Sequence, residues 1–241
     1  MRHASVDEAL WRVWPLLDTL PRLAPPPTGR VVIVSAHPDD EVLAAGGLIG
    51  ACAGTAASLA FVTVTDGAAS HPGSSSPSPV QLAEQRSLEL LRALDVLGHP
   101  DPDITRLGLP DSDLGPHLDA LACGIDGTTE GADLVLCPAI DDGHVDHATV
   151  GEVTVRVCSG RVAVWQFPIW LWHWSEPGVE RLPWERARRL DLSDAQRASK
   201  REALTCFPSQ VQPLPGCGPE TTILPPEVLA HFGRPYEVFF T

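Results

Sequence analysis

The chain has 241 residues, of which 44% are hydrophobic and 20% charged. These proportions are typical of a globular protein that buries a full core. Its formal net charge of −14 argues against nucleic acid or an anionic membrane as the main partner, because both would repel it. The sequence has no signal-peptide pattern and no apolar run long enough to cross a bilayer, so we expect a cytoplasmic protein.

The order of the sequence patterns predicts a single domain over residues 1–241. Residues 1–29 would supply an N-terminal helix and a proline-rich connector, and residues 30–160 would form the core. Residues 161–241 would form a C-terminal subdomain with extra strands and helices. In the first part, an amphipathic pattern over residues 5–18 predicts a helix, although Pro15 is unfavourable inside one.

Short β-favouring runs alternate with helical patterns through the core. Strands are predicted at residues 31–34, 58–65, 104–107, 133–137 and 161–167. Helices are predicted at residues 42–49, 80–97, 118–123 and 148–158. This alternation predicts a Rossmann-like three-layer α/β sandwich with a mostly parallel sheet. No G-x-G-x-x-G pattern follows the first strand, so a dinucleotide cofactor is not supported.

Apolar spacing also predicts which helix faces are buried. Five residues would form the apolar side of the helix at residues 80–97: Leu82, Leu88, Leu91, Leu94 and Val96. A later helix would begin after Ser193 and expose Lys200 and Arg201. His231 has no recognisable partner pattern, so we assign it to the surface or to a loop.

The first chemical cluster follows the strand at residues 31–34 and reads His37-Pro38-Asp39-Asp40-Glu41. Pro38 suits the first position of a helix, and negative charge is favoured in a first helical turn, so capping is one interpretation. A metal site is the other, because three neighbouring carboxylates repel one another and a cation would relieve that repulsion. His37 and Asp40 are spaced i, i+3, so both can reach one point. The spacing alone leaves both interpretations open.

A second cluster follows the strand at residues 133–137 and contains His144-Val145-Asp146-His147. Two histidines at i, i+3 can provide one metal ligand and one group that faces a substrate. One such pattern arises easily by chance, but two clusters that each follow a parallel strand converge at one edge of a doubly wound sheet. The pair of clusters therefore favours a metal site over capping.

Together, Ala36-His37-Pro38-Asp39-Asp40-Glu41 and the second cluster resemble the motifs of the LmbE/PIG-L family of zinc-dependent N-deacetylases. These enzymes are hydrolases of linear amide C–N bonds that remove acetyl groups from N-acetylglucosamine-type sugars. The similarity extends over about residues 30–215 through four further segments: Thr65-Asp66-Gly67, the helix with Arg86 and Glu89, Leu109-Pro110-Asp111, and Ser209-Gln210. It implies an LmbE-like fold and a small N-acetylated sugar or glycoconjugate as substrate.

The resemblance also implies roles for the residues of both clusters. Three residues would be the zinc ligands: His37, Asp40 and His147. Asp39 would be the general base, Asp146 would orient an imidazole, and His144 would protonate the leaving amine or stabilise the oxyanion. Three N/O ligands leave an open position at zinc, where water has a pKa near ~7. Iron(II) and cobalt(II) remain alternatives to zinc.

Substrate contacts are expected from four side chains: Asp66, Arg86, Asp111 and Trp172. For Arg86, an ion pair with Glu89 or Glu84 is an equal alternative. The segment Trp170–Trp174 has tryptophans at every second position, which would share one face if the segment were extended. They would form either a stacking platform for sugar rings or, as we favour, a packing surface for the C-terminal subdomain.

The sequence leaves two other functions open. One is an amidase that acts on a non-sugar N-acyl small molecule or thiol conjugate. The other is a catalytically silent metal-binding protein, although such a protein would not require both Asp39 and His144. Whether the chain forms a homo-oligomer is also left open.

Overall fold

The structure is a computed structural model that describes residues 5–23, 28–72, 77–179, 182–214 and 222–241. Within these residues, seven strands form one sheet in the order β3-β2-β1-β4-β5-β7-β6. The strands are β1 (Arg30–Ser35), β2 (Ser58–Thr65), β3 (Asp103–Leu109), β4 (Leu134–Pro138), β5 (Ala163–Phe167), β6 (Ala187–Asp191) and β7 (Tyr236–Phe240). The first five run parallel, and β7 is antiparallel to both β5 and β6. The expected mostly parallel sheet is confirmed.

Ten α-helices occur in the described part of the chain. They are α1 (Glu8–Arg12), α2 (Pro15–Thr19), α3 (Asp40–Cys52), α4 (Pro79–Val96), α5 (Leu118–Thr128), α6 (Val145–Cys158), α7 (Leu171–Trp174), α8 (Asp194–Leu204), α9 (Pro208–Val211) and α10 (Pro226–Leu229). Single 3₁₀ turns lie at Gly115–His117, Trp184–Arg186 and Ala230–Phe232. None of the helices described is both long and apolar enough to span a bilayer.

The hydrophobic core lies on both faces of the sheet, and β1 shows this most directly. Val31 and Ile33 point into one apolar cluster with α3, whereas Val32 and Val34 point into another with α5 and α6. A strand covered on both faces reads as a continuous apolar run, which is the pattern at residues 31–34. The expected three-layer sandwich is confirmed.

The strand order reverses direction at β1. Strands β2 and β3 lie on one side of β1, and β4 lies on the other side. Strands β1 and β4 are direct parallel neighbours, with Val31 opposite Leu134 and Ile33 opposite Leu136. Their carboxyl ends therefore meet at a topological switch point, the usual position of ligands in such sheets. The first chemical cluster follows β1, and the second follows β4.

The predicted helix at residues 5–18 is instead two short helices. The first ends at Arg12, and Pro15 occupies the first turn of the second. Proline cannot donate an interior helical hydrogen bond, but it fits a first turn where no such bond is made. The helix is therefore interrupted just before Pro15, the residue that is unfavourable inside a helix.

The helix α4 has the predicted position, but its buried face differs from the prediction. A capping box at Ser78 and Gln81 fixes its start. Leu88 and Leu91 are 52% and 40% exposed, while Arg86 and Glu89 are buried. The inner face of this helix is thus partly polar, because it supplies side chains to the site described below.

A buried cluster joins the N-terminal helix α1 to the C-terminal part of the chain. The Glu8 carboxylate accepts hydrogen bonds from Arg234 Nε at 2.8 Å and Nη2 at 2.5 Å, and lies 2.9 Å from His231 Nδ1. Burial alone would raise the pKa of Glu8, but these partners lower it. The expectation that His231 lies at the surface or in a loop without a partner is wrong, since it is 2% exposed and bonded to Glu8.

A second buried ion pair fastens α8 and β7 to α3, the helix that begins at Asp40. Lys200 Nζ lies 2.7 Å from Glu237 Oε1, and the same carboxylate accepts the backbone N–H groups of Gly47 and Leu48 at 2.7 and 3.0 Å. A Cβ atom on Gly47 would lie 2.4 Å from the Leu192 side chain and 3.1 Å from the Glu237 carboxylate, so a larger residue would displace these side chains. The prediction of an exposed Lys200 is wrong, because the residue is 4% exposed.

We predict that Lys200→Met lowers the free energy of unfolding by about 3–5 kcal/mol, because the Glu237 carboxylate would stay buried without its counter-charge. Urea unfolding monitored by circular dichroism measures this change. The neighbouring Arg201 is exposed, and Arg201→Met should alter stability by no more than about 0.5 kcal/mol. Equal losses in the two variants would contradict this account.

Candidate active site

A cavity of about 390 Å³ opens where β1 and β4 end. Its polar lining comes mainly from the two clusters and their neighbours: His37, Asp39, Asp40, Arg86, Asp111 and His144. A second cavity of about 370 Å³ beside α8 is lined mostly by apolar residues, with no histidine or carboxylate among the described lining residues. The histidines and carboxylates therefore single out the first cavity as the candidate site.

Three donor atoms from the two clusters converge on one point. Nδ1 of His37 lies 3.2 Å from Nε2 of His147, and these atoms lie 3.8 and 3.3 Å from the Asp40 carboxylate oxygens. Around a tetrahedral zinc ion with bonds of about 2.0–2.1 Å, neighbouring ligand atoms are separated by about 3.3 Å. The separations of 3.2 and 3.3 Å match that value and the third, 3.8 Å, is longer, so these three side chains are placed to hold a divalent metal ion.

In His37 and His147, the ring nitrogen that points away from the shared centre lies within hydrogen-bonding distance of carboxylates. Nε2 of His37 lies 3.1 Å from Asp146 and 3.3 Å from Asp111, and Nδ1 of His147 lies 2.6 Å from Asp142. A carboxylate at the outer nitrogen fixes the proton there and leaves the inner nitrogen free to bind metal.

The same carboxylates change the proton affinity of the rings. Burial alone would lower the pKa of His37, but hydrogen bonds from its ring to Asp111 and Asp146 and the charge of Asp40 raise it to about 9. Burial would also lower the pKa of His147, yet Asp40 and Asp142 raise it well above its usual value. The site thus favours positive charge, which protons provide without a metal and which a divalent cation can replace.

Asp142 is a site residue that the sequence did not identify. Its side chain is 1% exposed, and besides His147 it accepts three backbone N–H groups, from Ile169 at 2.6 Å and from Trp170 and Leu171 at 3.1 Å. The adjacent Asp141 is exposed. The pair Asp141-Asp142 was visible in the sequence, but nothing in the pattern distinguished the buried member from the exposed one.

Asp39 and Arg86 form a buried ion pair within the cavity. Arg86 Nη2 lies 3.0 Å from Asp39 Oδ2, and the guanidinium also donates to the carbonyl oxygens of Gly67 and Pro38 at 3.0 and 3.2 Å. Burial raises the pKa of Asp39 to about 6, although the charge of Arg86 opposes that rise. Because a Cβ atom on Gly67 would collide with the guanidinium, this glycine is required for the position of Arg86.

The alternative ion pair between Arg86 and Glu89 or Glu84 is not the arrangement observed. Glu89 instead accepts hydrogen bonds from the backbone N–H and the hydroxyl of Ser209 at 3.0 and 2.5 Å. This contact holds the segment Ser209-Gln210 beside α4, and Gln210 reaches the cavity.

His144 is held in one tautomer by the backbone. Its Nδ1 atom accepts the Asp146 N–H at 3.2 Å, so the proton of the neutral ring is on Nε2. Burial, together with the neighbouring His147 and His37, lowers the pKa of His144 to about 4. The ring is therefore neutral near pH 7 and can donate a hydrogen bond only from Nε2.

Of the four side chains expected to contact substrate, Arg86 and Asp111 line the cavity, but Asp66 and Trp172 do not. Asp66 is turned toward β3, where it pairs with Arg106 at 2.8 Å. Trp172 is 3% exposed and packs edge-on against Trp11 at 4.9 Å. The expectation that Trp172 contacts the substrate is therefore corrected, because its ring lies in the core. Asp66 lies outside the described cavity lining, and its substrate contact stays a prediction.

The error for Trp172 has a simple geometric cause. The sequence pattern assumed an extended segment, but Leu171–Trp174 forms one helical turn. In a helix, residues four apart share a face, so Trp170 and Trp174 point into the cavity while Trp172 points into the core. The segment thus packs against the core through Trp172 and lines the cavity through Trp170 and Trp174.

We predict that Asp142→Asn weakens zinc affinity about 10–100-fold, because an amide cannot orient His147 as the carboxylate does. Competition with a chromophoric chelator measures this affinity. Asp141→Asn, a change at the exposed neighbouring position, should bind zinc like the wild type. If both variants bound zinc equally well, Asp142 would have no part in holding the ligand.

Comparison with known proteins gives the chain relatives of known reaction type. It is 32% identical over 140 residues to the 2'-N-acetylparomamine deacetylase of Streptomyces fradiae, covering 51% of this chain and 50% of the relative. The chain thus spans about half the length of that curated relative.

Two solved structures show the same fold. One is a deacetylase of teicoplanin biosynthesis, with TM-score 0.61, 21% identity and coverage of 76% and 85% of the two chains. The other is the 4-carboxy-2-hydroxymuconate hydratase GalB of Pseudomonas putida KT2440, with TM-score 0.58, 19% identity and coverage of 76% and 80%.

The sequence model of the PIG-L family, described as GlcNAc-PI de-N-acetylase, matches residues 32–158. That range begins in β1 and ends with α6, so it includes both clusters and both strands that position them. Because the match covers more than half of the chain, this protein belongs to the PIG-L family of de-N-acetylases.

Proposed function

We propose that this protein hydrolyses the N-acetyl group of an amino sugar or of its conjugate, releasing acetate and a free amine. The observation that carries the proposal is the meeting of His37, Asp40 and His147 at one point, beside the buried Asp39. The family and the name of the Streptomyces fradiae relative support the reaction class. The hydratase with the same fold shows that the fold by itself does not fix the reaction.

The proposed cofactor is zinc, with iron(II) and cobalt(II) as alternatives. Three side chains would hold it: His37, Asp40 and His147. When bound there, a zinc ion acts as a Lewis acid toward the acetyl carbonyl and makes water acidic enough to lose a proton near neutral pH.

Asp39 is proposed as the general base. It takes one proton from water as the hydroxyl oxygen bonds to the acetyl carbon, and then passes that proton to the amide nitrogen as the C–N bond breaks. A buried carboxylate suits this exchange, because burial raises its pKa and so favours the form that carries the proton. Arg86 holds the carboxylate in place through its ion pair.

His144 is proposed to stabilise the oxyanion rather than to protonate the amine. Its Nδ1 is occupied by the Asp146 N–H, and its lowered pKa keeps the ring neutral. The Nε2–H group can donate to the carbonyl oxygen as negative charge develops there. Asp146 therefore positions two imidazoles, His37 through its carboxylate and His144 through its backbone.

The proposal is tested by acetate release from a substrate panel. The panel contains N-acetylglucosamine, its glycosides, 2'-N-acetylparomamine, an N-acetyl amino acid and an N-acetylcysteine conjugate. We expect release from the sugars, loss of release after chelation, and recovery when zinc, iron(II) or cobalt(II) is restored. Release from the non-sugar amides alone would favour the amidase alternative, and no release from any metal-loaded sample would favour a silent metal-binding protein.

Within the same assay, Asp39→Asn should lower kcat by about 10²–10⁴-fold while metal content is unchanged, because only the base is removed. Asp113→Asn changes an exposed carboxylate of a nearby loop and is the matched control. Turnover by Asp39→Asn at the rate of this control would show that Asp39 is not the base.

A further inference from the structure

The second cavity, beside α8, lies apart from the candidate active site. It is lined by residues of α8 and of the segment 226–234, and it shares no described lining residue with the active-site cavity. Its volume of about 370 Å³ falls within the range of about 300–1,000 Å³ that is typical of small-molecule sites. We call it the α8 cavity.

The walls of the α8 cavity are mainly apolar. They include five large hydrophobic side chains: Leu192, Leu204, Val211, Leu229 and Phe232. All five belong to the hydrophobic core on the α3 face of the sheet or pack against it. An apolar ligand that covered these walls would therefore extend an existing core and remove apolar surface from water.

The charged groups of the α8 cavity all have one sign. The described lining contains four charged residues, and each is basic: Arg197, Lys200, Arg201 and Arg234. Lys200 is neutralised by its buried pair with Glu237. Arg234 is neutralised in the same way by Glu8. Arg197 and Arg201 remain, so the cavity is locally cationic in a chain whose formal net charge is −14.

These two arginines keep donor groups that the described part of the protein does not use. Nε of Arg197 is buried and has no hydrogen-bond partner among the described residues. Its Nη1 atom lies 3.2 Å from Asp194, but the Asp194 side chain is 99% exposed, so this ion pair contributes little. Arg201 is exposed and forms no hydrogen bond or ion pair with another described residue. A buried donor without an acceptor is unfavourable, and a ligand oxygen would satisfy it.

The spacing of the two arginines also favours an anion. They lie four positions apart on α8 and therefore share one face of the helix, where like charges repel each other. An anion held by both would relieve that repulsion. Arginine stems can cover apolar surface without any ligand, but such packing does not account for the unused Nε of Arg197.

We propose that the α8 cavity binds an apolar monocarboxylic acid of medium chain length. Its carboxylate would pair with Arg197 and Arg201, because guanidinium groups bind carboxylates through charge-assisted hydrogen bonds. Its apolar body would cover the cavity walls. This site is separate from the proposed deacetylase function and does not depend on it.

Calorimetric titration of zinc-loaded protein with octanoate, butyrate and octan-1-ol tests the proposal. We expect octanoate to bind at least about 10-fold more tightly than butyrate, because each buried methylene group strengthens binding by about 3–4-fold. Octanoate should also bind about 5–10-fold more tightly than octan-1-ol, which has the same chain but no charge.

Variants separate the charged part of the site from the apolar part. Arg201→Gln should weaken octanoate binding about 5–10-fold and leave octan-1-ol binding unchanged. Arg156→Gln, an exposed position of α6 outside the cavity lining, is the matched control and should bind both like the wild type. Leu229→Gln should weaken the binding of both compounds, and if it does not fold, Leu204→Gln replaces it.

Anomalous diffraction from crystals soaked with 8-bromooctanoate locates the ligand. We expect the bromine among the apolar side chains of the α8 cavity. Three results would overturn the proposal: octanoate that binds no more tightly than octan-1-ol, equal octanoate affinity in Arg201→Gln and Arg156→Gln, or bromine found only elsewhere, the candidate metal centre included.

Discussion

The parallel pairing of β1 with β4 is the constraint on which the site depends. His37 and Asp40 follow β1, and His147 lies more than one hundred positions later, after β4. Because the two strands are neighbours in register, their carboxyl ends present both loops to the same point. The contacts of His147 with His37 and Asp40 in the candidate metal centre follow from that pairing.

A second constraint is the charge that the fold buries around this point. Asp39, Asp40 and Glu41 are all buried, and burial raises the pKa of Glu41 to about 8. Carboxylates this close are stable only with cationic or hydrogen-bonding partners. Arg86 supplies one such partner, and the imidazoles with their protons or a metal ion supply the others. The ion pair of Lys200 with Glu237 then keeps α3, which carries Asp40, against β7.

The strand positions and the meeting of the two clusters were predictable from the sequence, because a fully buried strand and a strand-to-helix turn leave local patterns. The positions that were predicted wrongly depend on residues far away in the sequence. Lys200 is buried because of Glu237, and α4 turns Arg86 inward because Asp39 lies opposite. The role of Asp142 depends on the backbone of Ile169–Leu171. Trp172 was misplaced because one helical turn replaced an extended segment.

The most direct test of the account is the structure of the metal centre in zinc-loaded protein, determined by anomalous diffraction or X-ray absorption. We expect one zinc ion per chain, with two imidazole nitrogens and one carboxylate oxygen at about 2.0–2.2 Å. These ligands would be His37, His147 and Asp40, and His147→Ala should lose the ion. Zinc bound at another position, or retained unchanged in His147→Ala, would contradict the shared centre.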